Sequence, residues 1–514
     1  MARTLSPCQL ASCMGLALLS LCAMAQAGPR PEAAGQTAPG GLQASEASLK
    51  LEYQRVDVPG DQPLDLMGFH FHQQVMQGIQ VGAGFYAPLF RGEYGGFVAA
   101  DIGLQARYRL GGPWYLTAGL SAGGGGGGRS VEHSKLLSGS GGFVKGHLGL
   151  GHDFGDFSVG ASLSRLKFRK SLIDSSQAMV FVEFPFRYLT GPHAAHGQPL
   201  PPQDDQRAAQ EMGESMLTLS LDNYRQQNPQ GSNKRTVGLG ELQFAHFFSQ
   251  DSYWFASLGM GWRGMPLYNQ LLGGAGQRWR LSPALTLYGQ LGLGSGGYAP
   301  EVIDTASGLL VYPRLGLEYA LDRDLGLAFT LGYMTAPRGS SRNQTFGLAL
   351  TRHLRAGQSG DASGPARYQG MRVSVFQHTA FQLRYREQAR PALQMIGLQL
   401  DLPLDAHWYL PLQASGAYNA YLGYPGYAEI LAGLGLQTRL RPEDRFQVFG
   451  QLLGGANVHG KAGKLSAGLR WIVDERLALN ASLGRTLGRG DTGGHFSASN
   501  LTLGLDYRFA LPAR

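Results

Sequence analysis

The sequence predicts an all-β protein, a transmembrane antiparallel β-barrel assembled from three copies of one eight-strand unit. Three observations carry that reading. The stretch Gly103-Leu104-Gln105-Ala106-Arg107-Tyr108-Arg109 returns as Gly435-Leu436-Gln437-Thr438-Arg439-Leu440-Arg441, with a looser copy at Gly274-Ala275-Gly276-Gln277-Arg278-Trp279-Arg280. In the first copy Leu104, Ala106 and Tyr108 alternate with polar or tiny residues, and period 2 is the signature of a strand with two unlike faces. The 514 residues are only 16% charged and include 76 glycines, yet beyond the N-terminus no apolar run reaches the ~18 residues of a spanning helix. A barrel strand crosses with only ~10 alternating residues, so it leaves no hydropathy peak.

Taken in order, residues 1–25 read as a secretory signal peptide: Arg3, an apolar core from Met14 to Leu21, then the small-x-small cleavage patterns Ala23-Met24-Ala25 and Ala25-Gln26-Ala27. Lipidation at Cys22 fits less well, because Leu21 stands where a small residue belongs. All three cysteines (Cys8, Cys13, Cys22) fall in this segment, so the mature chain has no disulfide, thiol nucleophile or cysteine-held metal. The net charge of +8, less the one on Arg3, leaves about +7. No dense Lys/Arg run with interleaved aromatics accompanies it, which argues against nucleic acid as a partner.

Residues 26–47 are a Gly/Pro/Ala/Gln-rich lead-in. Strand patterns follow in three series. Repeat 1 (48–190) gives them near 48–57, 66–75, 78–90, 96–110, 114–122, 142–153, 157–168 and 179–188. Repeat 2 (215–354) gives 215–226, 236–249, 253–263, 269–281, 285–294, 308–321, 325–335 and 344–353. Repeat 3 (369–514) gives 371–383, 393–404, 408–420, 427–440, 446–456, 464–473, 477–487 and 499–509. Segments 191–214 and 355–368 break the rhythm with Pro, Gly and Ser and read as linkers, with a short helix expected near 204–212. Short turns follow the fourth and sixth strands, as at Gly111-Gly112-Pro113 and Asp322-Arg323-Asp324. Long loops follow the fifth or seventh, as at 123–141, 294–307 and 488–497. An even strand number returns each repeat to the side where it began, as tandem duplication requires.

The last strand reads Thr502-Leu503-Gly504-Leu505-Asp506-Tyr507-Arg508-Phe509. It resembles the C-terminal β-signal of bacterial outer-membrane β-barrel proteins, matching at Thr502, Gly504, Tyr507 and Phe509. The tail 510–514 departs from members that end at the aromatic. The resemblance is to the broad class. It implies outer-membrane localisation, assembly by the outer-membrane barrel machinery, contact with outer-membrane lipid and lipopolysaccharide, and short turns on the periplasmic side. On that side Trp114, Tyr115, Trp254 and Trp408 are expected at the membrane interface, as an aromatic girdle. Repeat 2 keeps Thr345 and Gly347 but loses the final aromatics, and repeat 1 carries Pro185 in its last strand. The full signal in the last repeat alone favours one barrel of about 24 strands closed once. Three tandem eight-stranded barrels, each with a filled interior, are the alternative that the linkers favour.

Function follows from that choice. One wide barrel would be a porin-like pore or secretion conduit, with Arg107, Arg109, Arg278, Arg280, Arg439 and Arg441 lining its periplasmic mouth and favouring anionic solutes or polymers. Pairing of these arginines with turn carboxylates is the plainer explanation. Three closed barrels would be a structural or adhesive protein that displays its loops. An outer-membrane lipid-modifying enzyme is the weakest reading: His133, Ser134, Ser138 and His495 lie in the outer loops without a catalytic spacing. His70 and His72 share a strand face but lack a third ligand, so neither a metal nor a cofactor is expected. The glycine run 123–128 opens no helix and reads as an external loop.

Overall fold

The computed structural model describes residues 41–126, 139, 141–171, 173–211, 214–229, 236–264, 268–297, 303–322, 324–354, 366–422, 426–441, 444–490 and 493–513. The signal segment and residues 133, 134 and 138 lie outside these. The first barrel contains β1 (Gln43–Val56), β2 (Leu64–Met76), β3 (Ile79–Pro88), β4 (Val98–Gly111), β5 (Trp114–Gly126), β6 (Gly142–Asp153), β7 (Ser158–Phe168) and β8 (Asp174–Thr190). The second contains β9 (Ser215–Gln226), β10 (Thr236–Phe247), β11 (Ser252–Arg263), β12 (Asn269–Ser282), β13 (Leu285–Gly297), β14 (Leu309–Ala320), β15 (Leu325–Thr335) and β16 (Arg342–Leu354). The third contains β17 (Arg367–Tyr385), the two-residue β18 (Gln388–Ala389), β19 (Leu393–Pro403), β20 (Trp408–Ala417), β21 (Ala428–Gln437), β22 (Phe446–Asn457), β23 (Gly460–Ile472), β24 (Leu477–Gly490) and β25 (His495–Ala513). All pairs between neighbouring strands are antiparallel, and the three barrels close through β1–β8, β9–β16 and β17–β25. No described helix is long and apolar enough to cross a membrane.

The three-repeat, all-β reading holds, but the single barrel of about 24 strands does not form; the three eight-stranded barrels do. Pro185 explains why the sequence misled. Opposite Ser48, it sits in a β1–β8 ladder that runs unbroken from Gln43↔Thr190 to Gln54↔Met179. Lacking one donor on a long ladder does not open it. Closure depends on strand number and stagger, not on the aromatics at the end of the last strand.

Alternation sorts the side chains. Outward positions carry aliphatics such as Leu120, Leu163, Leu452 and Leu465, with Leu163 73% exposed. Inward positions fill the lumens. In the half nearer the long loops each lumen holds an aromatic and aliphatic plug: Tyr86, Phe97, Phe143 and Phe168 in the first barrel, Tyr224, Tyr268 and Tyr312 in the second, Tyr385, Tyr427 and Phe496 in the third.

The loops depart from expectation in three places, one being the loop expected over 294–307, whose first residues to Gly297 end β13. Gly123, Gly124, Gly125 and Gly126 end β5 rather than forming a loop. A Cβ on Gly124 would lie 2.6 Å from the Ala417 carbonyl oxygen of the third barrel, so the glycine permits close approach of two backbones. The loop expected over 488–497 shrinks because β24 runs to Gly490 and β25 restarts at His495.

Segment 191–211 joins barrels one and two and also brackets one and three. Gly191 exchanges backbone hydrogen bonds with Ala510 at 2.8 and 3.0 Å, Gly197 N–H donates to Tyr368 O at 2.8 Å, and Tyr368 N–H to Gln198 O at 2.9 Å. Helix α1 (Pro202–Glu211) opens with Pro at its first position and Asp204 and Asp205 in its first turn, which suits the helix dipole. Ala208 packs with Leu42, Leu189, Leu200, Ala366 and Tyr368. In the bracket, Arg508 donates to His193 Nδ1 at 3.2 Å and Gly370 N–H to His196 Nδ1 at 2.9 Å. Both contacts need unprotonated rings. Burial is the main cause that holds both histidines below the usual value; Arg508 adds to it at His193, and Asp405 opposes it at His196. The released segment therefore binds more protons than the docked one. Its docking stability is fully present above about pH 6.5 and is lost progressively as pH falls below that value towards the lowered values of the docked rings. Proteolysis within 191–211 is expected to quicken severalfold between about pH 7 and about pH 5 while the barrels stay resistant. A pH-independent cleavage rate, after correction for the protease's own profile, would count against this.

Candidate functional site

Each lumen is crossed by a network of paired charges. In the first barrel Lys145, on β6, donates to Glu52 and to Tyr86 OH at 2.9 Å, while Lys50 donates to Gln105 at 3.0 Å. Asp101 accepts from Tyr86 at 3.0 Å and Ser121 at 2.6 Å, and lies 3.1 Å from His70 Nε2. In the second, Arg314 on β14 meets Glu241 at 2.6 Å and Asp222 at 3.2 Å. A second layer nearer the short turns places His353 between Glu214 at 2.8 Å and Glu318 at 3.0 Å. In the third, Arg470 on β23 lies 3.1 Å from both Asp401 and Asp506, and Arg372 lies 3.0 Å from Asp401. The four are at most 2% exposed. In every barrel the sixth strand supplies a central cation. Buried charges persist only where paired and hydrogen-bonded, and these are.

These networks were not singled out in the sequence. Each member is one polar residue on an alternating strand, such as Lys145 between Val144 and Gly146. On the wall of a wide barrel such a residue faces water; in an eight-stranded one it faces its partner.

The six arginines stand two to a barrel, not around one mouth. Arg107 is stacked 3.5 Å from the Tyr115 ring and lies 3.8 Å from Asp153 and 4.0 Å from Glu183. Arg109 is exposed and 3.9 Å from Asp153. Arg278 is buried, 2.7 Å from Glu214 and over the Phe247 ring. Arg280, Arg439 and Arg441 are exposed, the last two beyond the end of β21. Of the girdle aromatics, Trp114 and Trp408 are exposed outside their barrels, whereas Tyr115 points inward and is buried. Trp254 packs on Phe186, at the contact between barrels one and two. In the final strand Thr502 lies 2.8 Å from His378, its neighbour on the adjoining strand, Gly504 faces the lumen beside Asn480, and Tyr507 and Phe509 face outward. Phe509 is buried in a cluster with Leu217, Met371 and Leu402, with Tyr188 packed against it, so all three barrels meet there. His495 is exposed at the start of β25. His70 and His72 face the first lumen, with ring centroids 6.0 Å apart. Among the described residues no group of three or more His, Cys, Asp or Glu is placed to hold a metal.

The barrels pack around a common axis. Phe69 of the first lies against Gly273 of the second, and Asn269 donates to Gly96 O at 2.7 Å. Lys461 of the third sits 5.1 Å from the Trp262 ring of the second. Gly124 meets Ala417 and Tyr418 of the third. Inside these contacts lies an open apolar recess walled by all three barrels.

No family model and no curated protein matches the chain. Among solved structures it is similar to a ferric enterobactin receptor of Pseudomonas aeruginosa, with 10% identity over 90% of this chain and 80% of that one, at a TM-score of 0.28. It is similar to the FrpB iron transporter of Neisseria meningitidis, with 8% identity over 91% and 82%, at 0.30. It is also similar to the Yersinia pestis outer membrane protein Ail, with 17% identity over 28% of this chain and 99% of that one, at 0.21. The likeness is to the broad class of bacterial outer-membrane barrels, and scores this low carry no argument about function.

Proposed function

We propose that this protein is an outer-membrane unit whose three barrels act as closed pillars, with its working surfaces between and above them rather than through them. The filled lumens carry this reading: plugs such as Tyr86 and Phe143 sit over ion-paired layers such as Lys145 and Glu52, as in small eight-stranded barrels with filled interiors. The apolar outer faces and the polar, paired interior support membrane insertion. The final strand, with Thr502, Gly504, Tyr507 and Phe509, supports recognition by the barrel assembly machinery, and the N-terminal segment supports export. The arginine pairs support no anion filter, since they are divided among three barrels and Arg107 and Arg278 are engaged with carboxylates. Display of the outer rims is the function this architecture fits.

A transport role is favoured by a separate observation, the recess on the axis shared by three barrels. Its apolar walls suit an apolar or amphiphilic passenger, not a hydrated solute. Refolded mature chain, from about residue 26, is therefore expected to give no steady conductance in a planar bilayer while showing the heat-dependent gel shift of folded barrels. Large steady openings from such protein would overturn the closed-pillar reading.

A further inference from the structure

We propose that the axial recess binds one acyl chain of a phosphorylated outer-leaflet lipid. This rests on the membrane-embedded reading above, not on loop display. Along β20 the outward side chains shrink from the short-turn end to the loop end: Leu410 and Leu412 belong to the packed cluster around Phe509, then Ala414 and Gly416 line the recess. On β19 Leu402 and Leu400 belong to the same cluster, and Leu398 lines the recess. The axis is thus solid in the periplasmic half and hollow in the outer half, so only outer-leaflet lipid is level with the hollow. A Cβ added at Gly416 would meet nothing within 4 Å. The walls offer methyl and methylene groups and no outward charge at mid-depth, which fits a hydrocarbon chain and gives a head group no partner there.

Polar side chains, and above them a cation, stand at the outer end. His459 lines the recess and stacks on Tyr385 at 4.2 Å, with Arg386 over the same ring at 5.5 Å. Lys461, two residues on, is exposed over Trp262 where barrels two and three meet. A phosphate at the membrane surface would sit near Lys461 while its chain runs down the axis.

The test uses the full mature chain in phosphatidylcholine vesicles containing phosphatidic acid with a diazirine at the end of one acyl chain. After photolysis, adducts are expected on the peptides of Ile102, Met260, Leu398 and Ala414 as well as on the outer belt at Leu452 and Leu465. Gly416→Phe, and the smaller Gly416→Leu should the first misfold, are expected to cut the axial adducts at least tenfold and leave the belt adducts unchanged. Lys461→Glu is expected to lower axial labelling about threefold, and a diazirine diacylglycerol without phosphate to label the axis correspondingly less. Belt adducts with none on the axis, or axial adducts that Gly416→Phe and Gly416→Leu do not change, would overturn the proposal and leave membrane insertion standing. Loss of both kinds from folded protein would instead overturn insertion itself.

Discussion

Asp401→Ala is expected to cost the third barrel about 3–5 kcal/mol, the range for breaking a buried ion pair from one side. Asp401 is fully buried and stands between two guanidinium groups, Arg372 at 3.0 Å and Arg470 at 3.1 Å, with Gln399 donating to its other oxygen at 2.7 Å. Without it, one carboxylate, Asp506, is left for two cations, and it is already engaged by Ser374 and Arg470. Guanidinium groups do not shed their charge, so the barrel cannot relieve the excess by titration. The defect should therefore be insensitive to pH. The measurement is the urea midpoint of the heat-shiftable species, read with a fluorophore on the third barrel. A loss below about 1 kcal/mol would mean that water reaches this layer and that the lumen is not sealed.

Arg314→Met should produce the opposite imbalance in the second barrel. Asp222 and Glu241 would face each other without their shared cation, which now sits 3.2 and 2.6 Å away. The expected cost at about pH 7 is again about 3–5 kcal/mol. Carboxylates, unlike guanidiniums, are discharged by protons, so acid should restore part of the loss. The sign is fixed: in the variant the folded barrel favours a protonated pair more than the unfolded chain does, and stability falls as pH rises. Moving from about pH 7 to about pH 5 should recover 1 kcal/mol or more on the order of one titrated group. Equal midpoints at both values would show that the two acids are solvated. Probes on the first and third barrels should move little, because each network lies within one closed barrel.

Much was legible without coordinates because alternation is a local property. The three copies of the Gly103–Arg109 pattern, the eight-strand count per repeat, the short turns at Gly112 and Asp322 and the outward face of Trp114 each depend on residues a few positions apart. The inward turn of Tyr115 is the same alternation taken one residue further. Strand endings carry less information about closure. Pro185 and the missing aromatics after Gly347 suggested repeats unable to close, yet β1–β8 and β9–β16 close both.

The sequence by itself determined that this chain is an antiparallel barrel protein in three repeats, with an apolar face outward and a polar face inward. Only the tertiary structure decided whether that polar face is a wet wall or a dry core. The physical reason is circumference. The strand pattern is the same for eight strands or about 24, but eight bring Lys145 to Glu52, Arg314 to Asp222 and Arg470 to Asp401 across the lumen, and a wider ring would hold them apart in water. The recess on the axis belongs wholly to that level. Its walls are outward residues such as Ile102, Met260 and Ala414, which in sequence are indistinguishable from any other lipid-facing position until three closed barrels are set side by side.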